Sequence, residues 1–375
     1  MKVALLASML VAACSSGANT SAGHSPTPAG SPVAQASASP SAQASASVAP
    51  PPSPVTTPYG LLVGSQAAST YSVSLVSADG KVAATADSGT PPVVSCGSSA
   101  GAVVPLPVST SNSRAYFMDG QGVVHFLAPN GDTGRATTVP AATASRRSIF
   151  AVSPDDQRIA VVVADFTSTG ASTRLYVEDL NGGGNHLNLF SETGARSLWP
   201  VGWHGTNNLV LAVVPSCTQG GGPFCCGPLE LHVVDPATAT RRFTLGGQSC
   251  PIAGPPTLAG AVCEDTVNLG AKVLSWSAVT VRSFRIGEVE AAYISPDGTQ
   301  VALVANSGTF IAQGAGGHSL GTIGNGMFAC AWIDDQHVLS GGDAQHQPRI
   351  AEVTSGTMVP VAAVGDCGGR LPGGL

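Results

Sequence analysis

Arg158-Ile159-Ala160-Val161-Val162-Val163, a polar loop, Arg174-Leu175-Tyr176-Val177, a turn at Asp179-Leu180-Asn181-Gly182, and then His186-Leu187-Asn188-Leu189 decide how the rest of the chain is read. Each piece is a short apolar run bounded by Gly, Asn or Asp, the pattern of strands joined by tight turns. The unit recurs. Before it come Tyr71-Ser72-Val73-Ser74-Leu75 with a turn at Asp79-Gly80, and Val123-Val124-His125-Phe126-Leu127 with one at Asn130-Gly131. After it come Leu229-Glu230-Leu231-His232-Val233-Val234 turning at Pro236, and Lys272-Val273-Leu274-Ser275-Trp276 turning near Ala278. Thr309-Phe310-Ile311 turns at Gly316, and Arg349-Ile350-Ala351-Glu352-Val353 turns at Gly356. Six intervals separate Gly80 from Gly356, 46 residues each, the length of a four-stranded propeller blade. Seven copies predict an all-β, seven-bladed β-propeller, with six or eight blades as the alternatives.

A second element precedes most copies. Phe150-Ala151-Val152-Ser153-Pro154-Asp155-Asp156 leads into one, and Ala292-Tyr293-Ile294-Ser295-Pro296-Asp297-Gly298 into another. Pro fixes φ in such a turn, Asp accepts backbone N–H groups, and Gly takes positive φ. The motif resembles the Ser-Pro-Asp-Gly signature of the TolB-like, or WD40-like, bacterial propeller repeats. Val108-Ser109-Thr110-Ser111-Asn112 and Trp332-Ile333-Asp334-Asp335 are degenerate versions, and the His and Trp-Asp pattern of eukaryotic WD40 repeats is absent. The first copy lacks an inner strand, because Gly60-Leu61-Leu62-Val63 already behaves as a second strand. The tail from Cys367 is left to supply it, a closure that removes exposed sheet edges. Cys367 would then lie within reach of Cys96 or Cys330.

The N-terminus has a different character. Lys2 is followed by a short apolar run over residues 3–11, as in a secretory signal peptide, and too short for the roughly 20 apolar residues of a bilayer span. Val11-Ala12-Ala13-Cys14 resembles a bacterial lipobox, which implies cleavage after residue 13 and lipidation of Cys14. The expected location is the outer face of the cell membrane. Residues 14–58 are nearly all Ser, Ala, Pro, Thr and Gly, with no charged side chain. They lack the apolar groups to offset the entropy of ordering, so a disordered tether is expected there, with the propeller over 59–375.

A formal net charge of −6 and only 10% charged residues disfavour a nucleic-acid partner. Nine cysteines leave eight once Cys14 is set aside, an even number that suits disulfides in an exported protein. Cys250 and Cys263 should meet at one end of two neighbouring strands, and Cys217, Cys225 and Cys226 share one long loop. That loop has no C-x-x-C spacing and no nearby His pair, so neither a metal nor a cofactor is expected.

Catalytic patterns are weak. Gly97-Ser98-Ser99-Ala100-Gly101 matches a nucleophile elbow, but the following Ala102-Val103-Val104-Pro105 is a poor helix start. The acidic pairs Asp155-Asp156 and Asp334-Asp335 suit turns. The reading is therefore a monomeric, non-catalytic envelope lipoprotein that engages a protein, peptide or glycan. A lyase- or glycosidase-type enzyme working in the central channel is the alternative. The candidate binding face lies opposite the Ser-Pro-Asp turns, with Asp165, Trp199, Cys217, Cys225, Cys226, Asn306, Asp343 and His346.

Overall fold

A computed structural model describes residues 52–96, 100–218, 228–285, 287–305, 308–313, 316–321, 323 and 328–375. Among these residues there is no helix, and the strands form seven blades around one axis. Blade 1 runs, from the axis outward, through Asp366–Leu371, Tyr59–Val63, Thr70–Val76 and Val82–Gly89. Blade 2 comprises Val108–Thr110, Ala115–Met118, Val123–Leu127 and Thr133–Thr138. Blade 3 is the unit quoted first, with Arg146–Val152 innermost, then Arg158–Thr167, Gly170–Asp179 and Leu187–Gly194. Blade 4 has Arg196–His204, Asn208–Pro215, Glu230–Val234 and Arg241–Gly246. In blade 5 the strands Ala261–Asp265, Gly270–Leu274 and Thr280–Arg285 are completed at the axis by a bridge between Ile252 and Cys263. Blades 6 and 7 begin at Ala291–Ile294 and Ala329–Trp332.

The apolar runs follow from this stacking. A second strand is covered on both sides by neighbouring blades, and in Arg158–Thr167 seven of ten positions are buried, Ile159 to Ala164 without a break. The outermost Leu187–Gly194 has no buried position, and only Leu189 and Phe190 pack partly against the core. Side chains between blades make the core: Trp203, Leu209 and Leu211 of blade 4 pack on Ala160, Val162 and Leu175 of blade 3.

Closure follows the expected route. Asp366–Leu371 pairs antiparallel with Tyr59–Val63, bringing Leu371 opposite Tyr59 and Asp366 opposite Val63. A disulfide joins Cys367 to Cys330 on the inner strand of blade 7. Residues 372–375 continue past blade 2, where Gly373 N–H donates to Ser111 O, and reach blade 4, where Leu375 N–H donates to Trp203 O. Leu375 is buried against Gly202 and the cluster containing Trp199. Ahead of Tyr59, Val55 N–H donates to Asn112 O.

The Ser-Pro-Asp turns show why their residues are needed. Ser153 N–H donates to Arg158 O, and Asp156 N–H returns to Ser153 O with Asp156 at φ +59°. Gly298 fills the same place in blade 6 at φ +74°, and its N–H donates to Ser295 O. Gly takes that backbone freely, and Asp tolerates it better than most residues. The serine hydroxyl donates to the next aspartate and accepts the N–H that starts the second strand, in both copies.

Candidate functional site

Strand direction sorts the connections onto two faces. Turns between first and second strands, and between third and fourth, lie on the turn face. Loops between second and third strands lie on the opposite, loop face with the crossings from blade to blade.

Turn-face acids are occupied in holding blades together. Asp156 of blade 3 accepts from Tyr116 Oη and from Ser113 Oγ of blade 2, both at 2.6 Å. Asp335 Oδ1 of blade 7 accepts the Asp297 N–H of blade 6 at 2.8 Å. Burial and the neighbouring Asp297 hold the Asp335 carboxyl above its ordinary value. Asp334 takes the N–H groups of Gln336 and His337. No group of three or more His, Cys, Asp or Glu side chains suited to a metal exists among the described residues.

The loop face is individual. The crossing from blade 1 to blade 2 carries a hairpin, Ser95–Cys96 with Ala100–Ala102, which pairs with Cys217–Thr218 from the long loop of blade 4. The Cys96–Cys217 disulfide links the two excursions, and Val103 N–H donates to Ser216 O beside it. Beneath lies the tip of blade 3, where Val94, Cys96, Ala164, Phe166 and Ala171 form a small apolar cluster. Cys250–Cys263 and Cys330–Cys367 close at this face too. Disulfides of this kind suggest an oxidising, exported environment.

The candidate binding residues divide. Asp165 sits on this face, receiving Arg146 Nε at 2.6 Å, with Arg174 Nη2 at 3.5 Å. Asp343 is exposed and caps its own loop by accepting the N–H groups of Gln345 and His346, with His346 Nδ1 at 3.1 Å. Those amides hold its carboxyl below the ordinary range. Cys217 is bound in the disulfide. Trp199 is not a surface residue: it is 2% exposed, its ring packed in the cluster with Val210, Ile252 and Ala261. A bulge between Pro200 and Gly202 shifts the register there, and Trp203 is buried as well, donating to Ala151 O. Cys225, Cys226 and Asn306 lie outside the described residues, as do Gly97 to Ser99 of the elbow-like motif. Ala100 and Gly101 are in a strand, and no helix follows among the described residues.

Two features escaped the sequence. One is the hairpin cap, whose partners are 121 residues apart at the disulfide. The other is Arg147, a buried guanidinium on the inner strand of blade 3. Only the doublet Arg146-Arg147 ahead of an apolar run hinted at it.

No family model matches the chain, and no curated protein matches it. Among solved structures it is similar to an oligogalacturonate lyase from Vibrio parahaemolyticus, at 8% identity and a TM-score of 0.47 over 78% of this chain and 90% of that one. TolB from Acinetobacter baumannii follows at 12% and 0.39, covering 86% of this chain and 67% of its own. A chain of the mitotic checkpoint complex gives 14% and 0.43, over 74% and 84%. Likeness at this level says nothing of what this chain binds.

Proposed function

We propose that this protein is an exported lipoprotein, anchored through Cys14, whose propeller binds an envelope protein, peptide or glycan through its loop face without catalysis. The carrying observation is the asymmetry of the faces. The three disulfides and the cross-linked hairpin cap gather on the loop face, whereas the turn-face acids are consumed in ties between blades. A loop platform braced in this way loses little entropy when a partner docks. Asp165 with Arg146 and Arg174, and the exposed Asp343–His346 corner, supply polar groups for recognition. The inner strand of blade 3 supports binding over chemistry: in Arg146–Val152 every position from Arg147 to Val152 is buried, and Ile149 to Val152 are all apolar.

Photo-crosslinkers at Val93 and Asp343 on the loop face, and at Gly131 on the turn face, test this in intact envelopes. The loop-face positions should capture a discrete partner and Gly131 none; capture from Gly131 alone would overturn the assignment. The anchor is tested separately. Cys14→Ser should release the chain from the detergent phase or block its processing, and a variant that stays processed and membrane-bound would remove the lipid from the proposal.

A further inference from the structure

Arg146 and Arg147 are neighbours in one strand and are treated in opposite ways. Arg146 donates to Asp165 and remains partly exposed. Arg147 is 5% exposed and, among the described residues, forms no salt bridge and leaves its Nη1 buried without a hydrogen-bond partner. A guanidinium keeps its proton in a protein, so burial leaves a full positive charge. An uncompensated charge in the interior is strongly destabilising, and such charges are paired or hold a ligand.

The surroundings are open in the same sense. Among the described residues five buried side-chain N or O atoms lack a partner, and Ser88 Oγ, Thr90 Oγ1 and Arg147 Nη1 are three of them. Ser88 and Thr90 flank Tyr71, and the charge of Arg147 acts on the same side chain. Ser88 stands directly opposite Tyr71 across the strand pair. Thr90 lies two residues on, its N–H donating to Ser69 O, which puts it on the same side. Tyr71 Oη reaches under blade 2 to donate to Met118 O at 2.8 Å. Burial raises the Tyr71 hydroxyl to about 12, and the facing Ser88 side chain, the bond to Met118 O and the charge of Arg147 oppose that rise, in that order. The nearest acid acting on Tyr71 is Asp119, whose carboxylate accepts the Gln121 and Val123 N–H groups and lies 3.3 Å from His125 Nε2. It is not available to Arg147.

We propose that Arg147, Ser88 and Thr90 form a buried receptor for a small oxyanion, a phosphate, sulfate or carboxylate group, at the loop-face end of blades 1 to 3. Arg147 supplies the charge and an N–H donor. Ser88 and Thr90 supply two hydroxyl donors. Tyr71, its proton committed to Met118 O, walls the site. The receptor is independent of the loop-face partner proposed above.

The full chain is melted in sodium phosphate, sulfate, acetate and chloride at matched ionic strength. Purified protein is also denatured and its released anions counted by ion chromatography. The expected result is a saturable rise in melting temperature over chloride, or about one co-purified oxyanion per chain. Phosphate or sulfate against acetate tells a tetrahedral group from a carboxylate. Arg147→Met should abolish the effect, and Arg135→Met, on the exposed outer strand of blade 2, should keep it. Ser88→Ala with Thr90→Val, which leaves the charge in place, should weaken binding about tenfold or more, and it decides alone if Arg147→Met does not fold. The absence of both a saturable rise over chloride and a co-purified anion would overturn the proposal, and so would binding unchanged in the double variant.

Discussion

The two faces of this propeller solve different problems with the same strands. On the turn face each connection is short, and its serines and aspartates are engaged within a few residues or by the next blade: Ser153 and Ser295 cap the strands that follow them, and Asp156 ties blade 3 to blade 2. On the loop face the connections differ from blade to blade, reach across neighbours and are held by covalent links, and buried donors there are left without acceptors. The repeat explains the first face. Only something specific to this chain explains the second.

The largest expected effect tests what both faces share. Deleting residues 366–375 removes the inner strand of blade 1, the Cys330–Cys367 link and the buried Leu371 and Leu375. Loss of Leu371 alone is worth about 2–5 kcal/mol, so the truncated chain should lose cooperative urea unfolding. A truncation that unfolds like the full chain would mean that the seam contributes nothing and that each face stands by itself.

Next comes the link peculiar to the loop face. Cys96→Ser with Cys217→Ser opens a loop of 121 residues and should cost about 2–4 kcal/mol. The loss should be local. Hydrogen exchange at the Val103 amide, which donates to Ser216 O, should speed up well before exchange at the Asp156 amide in the turn of blade 3. Equal acceleration at both would show that the cap is part of the global fold and not a separate platform.

A smaller effect belongs to the turn face. Asp156→Asn keeps a residue suited to positive φ but removes the charge that strengthens the bonds from Tyr116 and Ser113. A loss of about 1–2 kcal/mol is expected. Asp165→Asn on the loop face, where the partners Arg146 and Arg174 are partly exposed, should cost less.

These contrasts also mark how far the sequence could be read. The blade period, the unpaired second strand at Gly60-Leu61-Leu62-Val63 and its completion by the tail were legible, because strand runs and Gly-rich turns are local signals. The Ser-Pro-Asp turns were legible for the same reason, although their ties to Tyr116 and Asp335 in other blades were not. Trp199 stands near a blade entrance and so counts among the candidate face residues, although a Trp there more often packs between blades than binds a ligand. Its burial is a matter of how two blades stack, which no run of residues encodes. The cap joins residues of the blade 1–2 crossing and of blade 4 over the tip of blade 3, and local patterns carry no trace of such a meeting.

The smallest expected effect is electrostatic and sets one acid from each face side by side. Asp265, at the loop-face end of its strand, is held down to about 2, first by the Asn268 side chain and then by Lys272, whose Nζ lies 2.9 Å away. Glu352, at a turn-face corner, is also held to about 2, chiefly by Ser355, with the Ser355 and Thr354 N–H groups donating to its carboxylate. Both folded values lie below the ordinary ones of 3.8 and 4.5. Each acid therefore contributes stability above its ordinary value, and that contribution fades as pH falls through the window toward about 2. Asp265→Asn and Glu352→Gln should each flatten part of the decline in urea midpoint between pH 5 and pH 2. They should differ in salt. The ion pair with Lys272 is partly open to solvent and screened, whereas Glu352 rests on neutral donors. Raising the salt concentration should shrink the Asp265 share and leave the Glu352 share nearly constant; the reverse order would mean that Lys272, not Asn268, is a bystander at that corner.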